Sequence, residues 1–513
     1  MEPSTEQLKG VDVPKYEFRG VWIATVGNLD WPETHTMCTI KQRETASALL
    51  DSLQSIGINA VFFQVRPEGD AFYASTYEPW SYWLTGEQGR APEPFYDPLF
   101  FMIREAHKRG MELHAWLNPF RVARIKGQYQ MTGNHVTRRH PDWVLSFPDV
   151  YGRSYAMLNP GLPEVRDYIA SIVADIVRRY DVDGIHFDDY FYPYQPIHDQ
   201  DSLAFIRYGS TFDSPSDWRR ESINQLIHQV NDSLNTLAPD VVFGISPFAI
   251  RKNSDAGTNG LEGYHVLFAD GLAWLENRSV DYIAPQLYFE PGNERADYVS
   301  LLEFWASAAF FNDRHLYAGL APYRLMPPHD WSRDQAARQL LYNAQHEAVQ
   351  GNIFFRAQHL VLNPKGYSSL LANSLYRRPA LTPVMPWRST QKPPAVSRLQ
   401  IHDESFGLVR LEWACRDPFS FEERAMRHAV YRVDPSSPLF ESLSKPDVAI
   451  TPEVMEAATQ GRYLIGITGT RTFSDRLPYR QRQAIYLVTS VSRNSIESDP
   501  VRIFLNRDTL AGK

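Results

Sequence analysis

Apolar and polar residues alternate with a period of two in short runs and with a period near 3.6 in longer ones, and the two kinds of run take turns over about the first 375 residues. Strand-like runs fall at 18–26, 60–66, 111–118, 184–189, 241–246, 282–289, 316–320 and 352–356, which makes eight. Between them lie helical stripes, such as Ala46, Leu49, Leu50, Leu53 and Ile56, or Val165, Tyr168, Ile169, Ile172, Val173, Ile176 and Val177 with Pro163 in the first turn. A third stripe, Leu99, Met102, Ile103 and Ala106, stops at Gly110. Eight βα units in succession predict a (β/α)8 TIM barrel over 18–380, preceded by an N-terminal extension, 1–17.

The pattern then changes. Residues 381–394 are rich in proline and predict a linker open to proteolysis, and 395–513 carry strand runs at 408–413, 427–433, 462–468 and 484–491 with a helix expected only near 453–458. Trp413, Tyr431 and Tyr486, with the run 488–498, resemble the core aromatics and late strands of a fibronectin type III β-sandwich. This module carries no catalytic constellation, so packing on the barrel, spacing or weak glycan contact is its expected work.

Side chains alternate across a strand, so each barrel strand has one face toward the helices and one toward the barrel axis. Val61, Phe63 and Val65 leave Phe62, Gln64 and Arg66 for the interior; Leu113, Ala115 and Leu117 leave His114, Trp116 and Asn118; Ile283, Pro285, Leu287 and Phe289 leave Ala284, Gln286, Tyr288 and Glu290. In the first strand Gly20, Trp22 and Ala24 share a face. Polar groups gather on the interior parity and near strand ends, where such barrels place their chemistry. Gln64, His114 and His186 also suit a buried hydrogen-bonded layer beneath a site.

The fourth run ends in Asp188-Asp189 and continues into the aromatic stretch 190–194. Buried strands do not finish on two carboxylates unless these reach water, a ligand or a partner. With Ile185 and Phe187 against helices, Asp188 points inward with His186 and Tyr190, and Asp189 takes the other parity. An isolated Asp-Asp pair is more often a turn or helix cap. The polar parity of the neighbouring strands favours the catalytic reading.

Charge and composition narrow the partners. With 52 basic and 60 acidic residues and no basic stripe, nucleic acid is an unexpected partner. Cys38 and Cys415 are far apart and lack ligand-spaced neighbours, so neither a disulfide framework nor a structural zinc is expected, and no metal or cofactor. No apolar run reaches membrane-span length, and residues 1–10 lack a signal-peptide pattern. Trp80, Tyr82 and Trp83 sit among Pro, Ser and Thr, as do Trp31, Tyr77 and the stretch 190–194; aromatic faces with polar tips suit sugar rings.

Several longer motifs carry a family resemblance. The segments 18–32, 64–73, 79–81, 84–86, His114-Ala-Trp-Leu-Asn-Pro119, Gly184-Ile-His-Phe-Asp-Asp-Tyr190, Gly244-Ile-Ser-Pro-Phe248 and Asp281-Tyr-Ile-Ala-Pro-Gln-Leu-Tyr288 resemble, in order, the glycosyl hydrolase-like family 10, also called domain of unknown function 187. The resemblance covers nearly all of the barrel. It implies a (β/α)8 glycosidase, often exported to the periplasm or cell envelope, and the family's divisome-localised bacterial member further implies peptide-free peptidoglycan strands as a substrate.

Glycoside hydrolysis needs two carboxyl groups about the scissile bond. Asp188 is the leading candidate; its setting is similar to the fourth-strand nucleophile of α-amylase-like glycosidases, and Asp183-Gly-Ile-His-Phe-Asp188 resembles the chitinase fourth-strand motif. Tyr190 stands where chitinases have their acid, which argues against a direct transfer of substrate-assisted chemistry. The second carboxyl is Asp189, Asp70 or Glu290. Around these, Arg66 is expected to clamp Asp188 or a substrate acid; Asn118 and Gln286 to bind hydroxyl or acetamido groups; Tyr73 or Trp80 to form a sugar wall; and His114, Trp116, His186, Tyr190 and Tyr288 to complete the substrate site. Two other classes compete with the glycosidase: a metal-dependent hydrolase or deacetylase using His114, His186, Asp188 and Asp189, and a non-catalytic glycan-binding protein. Oligomeric state is not legible.

Overall fold

The computed structural model describes residues 8, 10–148, 153–404, 407–415, 424–445, 451–478 and 480–507, so parts of the expected extension and of the expected sandwich lie outside the described residues. Eight parallel strands close into a barrel: Phe18–Ile23, Ala60–Arg66, Glu112–Leu117, Gly184–Phe187, Val242–Ile245, Tyr282–Ile283, His315–Leu320 and Val349–Phe354. The first strand pairs with both the second and the eighth, which closes the ring. Helices surround it, among them Thr39–Ile56, Pro98–Lys108 and Pro163–Arg179, whose apolar stripes are those read from the sequence. The chain has the architecture of a TIM barrel.

Two departures affect the mouth. The sixth strand is regular only over Tyr282–Ile283; Pro285 has no N–H to give the ladder, and beyond it the chain continues through single bridges, Phe248 to Gln286 and Gln286 to Gly319. After the third strand an antiparallel sheet of Arg121–Ala123, Ser154–Leu158 and Val144–Pro148 rises over the mouth. No βα pattern announced that excursion, and it brings two arginines to the site.

The barrel interior is filled rather than hollow. Phe18 stacks on Tyr317 at 4.0 Å, and Phe62 lies 4.8 Å from the His114 ring and 4.6 Å from that of His186. Two glycines make the layer possible. A Cβ on Gly184 would sit 2.4 Å from His114, and one on Gly244 would sit 2.1 Å from the Tyr282 ring.

Beyond the barrel, two sheets face each other: Ser397–Asp403, Leu408–Ala414 and Thr472–Arg476 in one, and Leu464–Thr468, Arg427–Val433, Gln483–Val491 and Val501–Asn506 in the other. Val409, Leu411, Trp413, Val430, Tyr486 and Val488 pack between them. The proline-rich segment 381–394 differs from a free linker. Met385 is buried beneath the barrel interior, and Trp387 and Arg388 both bind Asp281 at the start of the sixth strand. Its prolines exclude regular structure, while its apolar and charged residues anchor it.

Candidate active site

Three strand ends and the excursion sheet converge on Asp188. The third strand ends before Asn118, whose Oδ1 accepts from Gln64 Nε2 at 2.6 Å and from Arg121 Nη2 at 2.8 Å. With two donors on the oxygen, the amide nitrogen of Asn118 is turned to Asp188, and donates to its Oδ2. Trp116 Nε1 donates to the same oxygen at 3.4 Å, and the Tyr190 backbone N–H reaches Oδ1 at 3.3 Å. Gln64 is held in turn by the backbone N–H groups of Thr25 and Val26, which donate to its Oε1.

Asp189 follows the last strand residue, Phe187, by two positions, where the pleat has ended and parity no longer binds. It therefore shares the cavity with Asp188 instead of facing the helices. Tyr194 Oη donates to its Oδ2, and Gln286 also donates to its carboxyl group. Burial, followed by the charge of Asp189, pushes Asp188 up to about 7, and burial raises Asp189 as well. Buried side by side, the two carboxyls titrate as a pair, and the second negative charge forms at a higher pH than in an isolated carboxyl.

The cavity they line measures about 230 Å³, with walls of Trp22, Trp116, Tyr190, Tyr194, Tyr288 and Phe355 and polar contributions from Gln64, Arg121, Arg124, Ser246 and Gln286. Among the described residues, the carboxyls lining it are those of Asp188 and Asp189. Arg121 lies 5.1 Å from the Tyr190 ring centre and pulls against the rise of Asp188.

Other expected site residues face elsewhere. Arg66 is fully buried in a forked pair with Glu78 at 2.6 and 2.8 Å and donates to the carbonyls of Asn118 and Pro119, so it braces the turn behind the site instead of clamping Asp188. Asp70 is buried between Gln88 and the Glu68 N–H, raised to about 7 by burial and then Glu68, and is not part of the cavity lining. Glu290 accepts from Gln335 at 2.7 Å and lines a neighbouring cavity of about 380 Å³ that shares Tyr288 with the first. Tyr73 is buried against Tyr180, and Trp80 packs on Phe95, so neither forms the wall. Their loop packs into the main hydrophobic core between barrel and helices.

His114 and His186 form a relay under the cavity floor. Trp22 Nε1 can only donate, so His186 Nε2 accepts it at 3.1 Å and Nδ1 carries the proton to Tyr282 Oη at 3.0 Å. Tyr282 then donates to His114 Nδ1, whose Nε2–H meets Glu112 at 3.2 Å. Burial, then His114, holds His186 well below its ordinary value and therefore neutral. With these nitrogens engaged, the metal-hydrolase reading loses its ligands; among the described residues no three His, Cys, Asp or Glu side chains are grouped to hold a metal ion. No helix of the described residues is long and apolar enough to cross a membrane.

Sequence reasoning missed Trp22, Arg121, Arg124, Ser246 and Phe355 as site residues, while Tyr194 falls within the aromatic stretch 190–194 that it singled out. Ser246 was within reach, since it shares the inward parity of Gly244; the two arginines ride on the excursion, which strand parity does not describe.

A family profile described as glycosyl hydrolase-like 10 matches residues 17–336. The chain is 39% identical over 404 residues to a Bacillus subtilis (strain 168) protein named glycosyl hydrolase YngK, spanning 76% of this chain and 78% of that one. It is 38% identical over 372 residues to glycosyl hydrolase DigH of Escherichia coli (strain K12), spanning 67% of this chain and 83% of that one. Among solved structures, α-L-fucosidase isoenzyme 2 from Paenibacillus thiaminolyticus superposes with a TM-score of 0.44 at 12% identity over 70% of this chain and 49% of that one.

Proposed function

The chain belongs to the glycosyl hydrolase-like 10 family, and from that premise we propose that it is a glycoside hydrolase that cleaves a polysaccharide of 2-acetamido sugars, peptide-free peptidoglycan strands first among them. The observation that carries the reading is the buried pair Asp188 and Asp189, among the described residues the carboxyls that line a cavity walled by aromatic rings. The two carboxyls are adjacent in sequence at one strand end, and neither Asp70 nor Glu290 lines the cavity with them. That arrangement favours the form of glycoside hydrolysis in which the substrate's own acetamido oxygen attacks the anomeric carbon.

Roles follow from the hydrogen bonds. Both oxygens of Asp188 accept, from Trp116, Asn118 and the Tyr190 N–H, which favours its anion. The shared proton then falls to Asp189, which donates it to the leaving oxygen as the glycosidic bond breaks. Asp188 accepts the acetamido N–H and stabilises the positive charge that develops as the acetamido oxygen bonds to the anomeric carbon. Water, deprotonated by Asp189, opens the cyclic intermediate, and configuration is retained. Tyr190, Tyr194, Tyr288 and Trp116 supply ring faces for stacking.

For the C-terminal module, the order 1-2-5 in one sheet and 4-3-6-7 in the other supports the fibronectin type III-like reading, with boundaries near 381–394 and 395–513. An exported location rests on the family resemblance.

The test is incubation with peptide-free peptidoglycan strands, chitin oligomers and α-glucans, with mass spectrometry of the products. Shortened acetamido glycans are expected. Binding without cleavage would leave the non-catalytic reading in possession, and cleavage confined to α-glucans would remove the acetamido mechanism. Aryl glycosides with good leaving groups separate the two acids: they should restore much of the rate in Asp189→Asn and little in Asp188→Asn.

A further inference from the structure

Arg124 stands apart from the other arginines of the mouth. Arg66 is forked onto Glu78, and Arg121 gives Nε to the Pro67 carbonyl and Nη2 to Asn118. Arg124 lines the same cavity as Asp188 and Asp189, yet its Nε is buried with no hydrogen-bond partner. Its side chain enters no ion pair or hydrogen bond among the described residues. Glu68, which accepts the Arg124 backbone N–H, has its other oxygen engaged by Trp83 Nε1 and Tyr129 Oη.

The position is nonetheless constructed. The Trp83 ring centre lies 5.9 Å from the guanidinium carbon, and a Cβ on Gly27, at φ 65°, would come within 3.0 Å of Nη2. The turn at Gly27 thus leaves the space that the guanidinium fills. A half-buried cation with an orphaned donor is costly unless something supplies an acceptor. Charge gives the sign of that acceptor: a guanidinium calls for an anionic oxygen, and the two lining carboxyls, Asp188 and Asp189, are engaged by Asn118 and Trp116 and by Tyr194.

We propose that Arg124 is a carboxylate subsite, which takes a sugar ring carrying a free carboxylate, as an ether-linked acid or a uronic acid, beside the bond to be cleaved. A planar guanidinium matches a carboxylate with two parallel hydrogen bonds. The inference rests on the glycosidase reading and names the substrate class of that site. It also gives a chemical reason for a preference for strands without peptide. Where a peptide is joined to a lactyl ether, the acid has become an amide, which offers neither the charge nor the second oxygen.

The experiment compares peptide-free glycan strands with the same strands after carbodiimide activation and borohydride reduction of their carboxylates to alcohols. The unmodified protein should cleave the acidic strands with a kcat/KM about 10- to 100-fold higher, the range of a charge-assisted hydrogen bond. In Arg124→Gln the ratio should fall toward one, and Arg124→Lys should keep part of it. Equal handling of both strands by the unmodified protein, or a preference that persists in Arg124→Gln, overturns the subsite. If neither strand is cleaved, the assignment of peptidoglycan strands as substrate fails on its own; calorimetric affinities of the unmodified protein for the two strands then decide the subsite, a matching ratio supporting it and equal affinities overturning it.

Discussion

Arg493 reaches from the C-terminal module to Asp183, with Nη1 2.9 Å from Oδ1, at the foot of the strand whose far end carries Asp188. The same guanidinium meets Asp240 at 2.8 Å and Asp181 at 2.5 Å. Arg427 of the module on Glu112 repeats the motif under the neighbouring third strand, and Arg388 of the proline-rich segment on Asp281 does so under the sixth. The module is therefore clasped to the end of the barrel opposite the site. Arg493→Ala leaves the buried Asp183 with His107 alone as side-chain partner and two part-exposed carboxylates beside it, and should cost about 3 kcal/mol in urea unfolding at pH 7. A loss under about 0.5 kcal/mol would show the clasp to be no stronger than a surface pair.

Asp183 and Asp188 respond to pH in opposite senses. Burial alone would raise Asp183, but His107 and Arg493 hold it well below the ordinary carboxylate range. Its contribution to stability is present above the unfolded value of 3.8 and is lost as pH falls below it. For the Asp188 and Asp189 pair, burial raises both carboxyls, Asp188 from 3.8 to about 7, so the folded state binds an extra proton within the pair, and stability is full below pH 3.8 and declines as pH rises through 7. Asp188→Asn should therefore be more stable than the unmodified protein at pH 8, by about 1–3 kcal/mol, with the gain vanishing near pH 4. Thermal unfolding at the two pH values checks this; a gain of equal size at both would remove the ionisation argument.

Gly244→Ala probes the filled barrel. The new Cβ meets the Tyr282 ring at 2.1 Å, and Tyr282 is fixed on both sides by His114 and His186. Without room to move the ring, the substitution should destabilise by about 1–3 kcal/mol or more. An unchanged Tm would mean that the ring tilts freely.

Much of this arrangement was legible because a strand's period fixes direction. Trp116, Asp188, Gln286 and Tyr288 reach the cavity from the interior parity read in the sequence, Asn118 holds Asp188 from behind it, and His114 and His186 form the buried layer that the same parity allowed. Parity fails where strands end. Asp189 and Tyr194 lie past the fourth strand, and Glu290 lies past Pro285, so counting by twos placed the first and third wrongly with respect to the cavity. Arg66 shows a second limit: an irregularity between Gln64 and Arg66 sets it opposite Leu117, on the parity that faces the helices, and Glu78, twelve residues away on an irregular loop, captures it. Long-range polar partners on loops leave no periodic trace.

Asn118 tests how the acid pair is tuned. Its oxygen is fixed by Gln64 and Arg121, so its nitrogen has one direction, toward Asp188 Oδ2. Asn118→Asp keeps the shape, removes that donor and places a third carboxyl beside the pair. By removing a preorganised donor to charge, it should lower kcat by about 10²- to 10³-fold. The added negative charge also holds the pair's last proton more tightly, so the alkaline limb of the kcat/KM profile should move upward by about one pH unit. Asn118→Leu instead leaves Gln64 Nε2 and Arg121 Nη2 without their acceptor and should lose about 1–3 kcal/mol of stability, without the upward shift. A profile in Asn118→Asp that keeps its alkaline limb in place would mean that the Asp188 and Asp189 pair does not carry the titrating proton of the reaction.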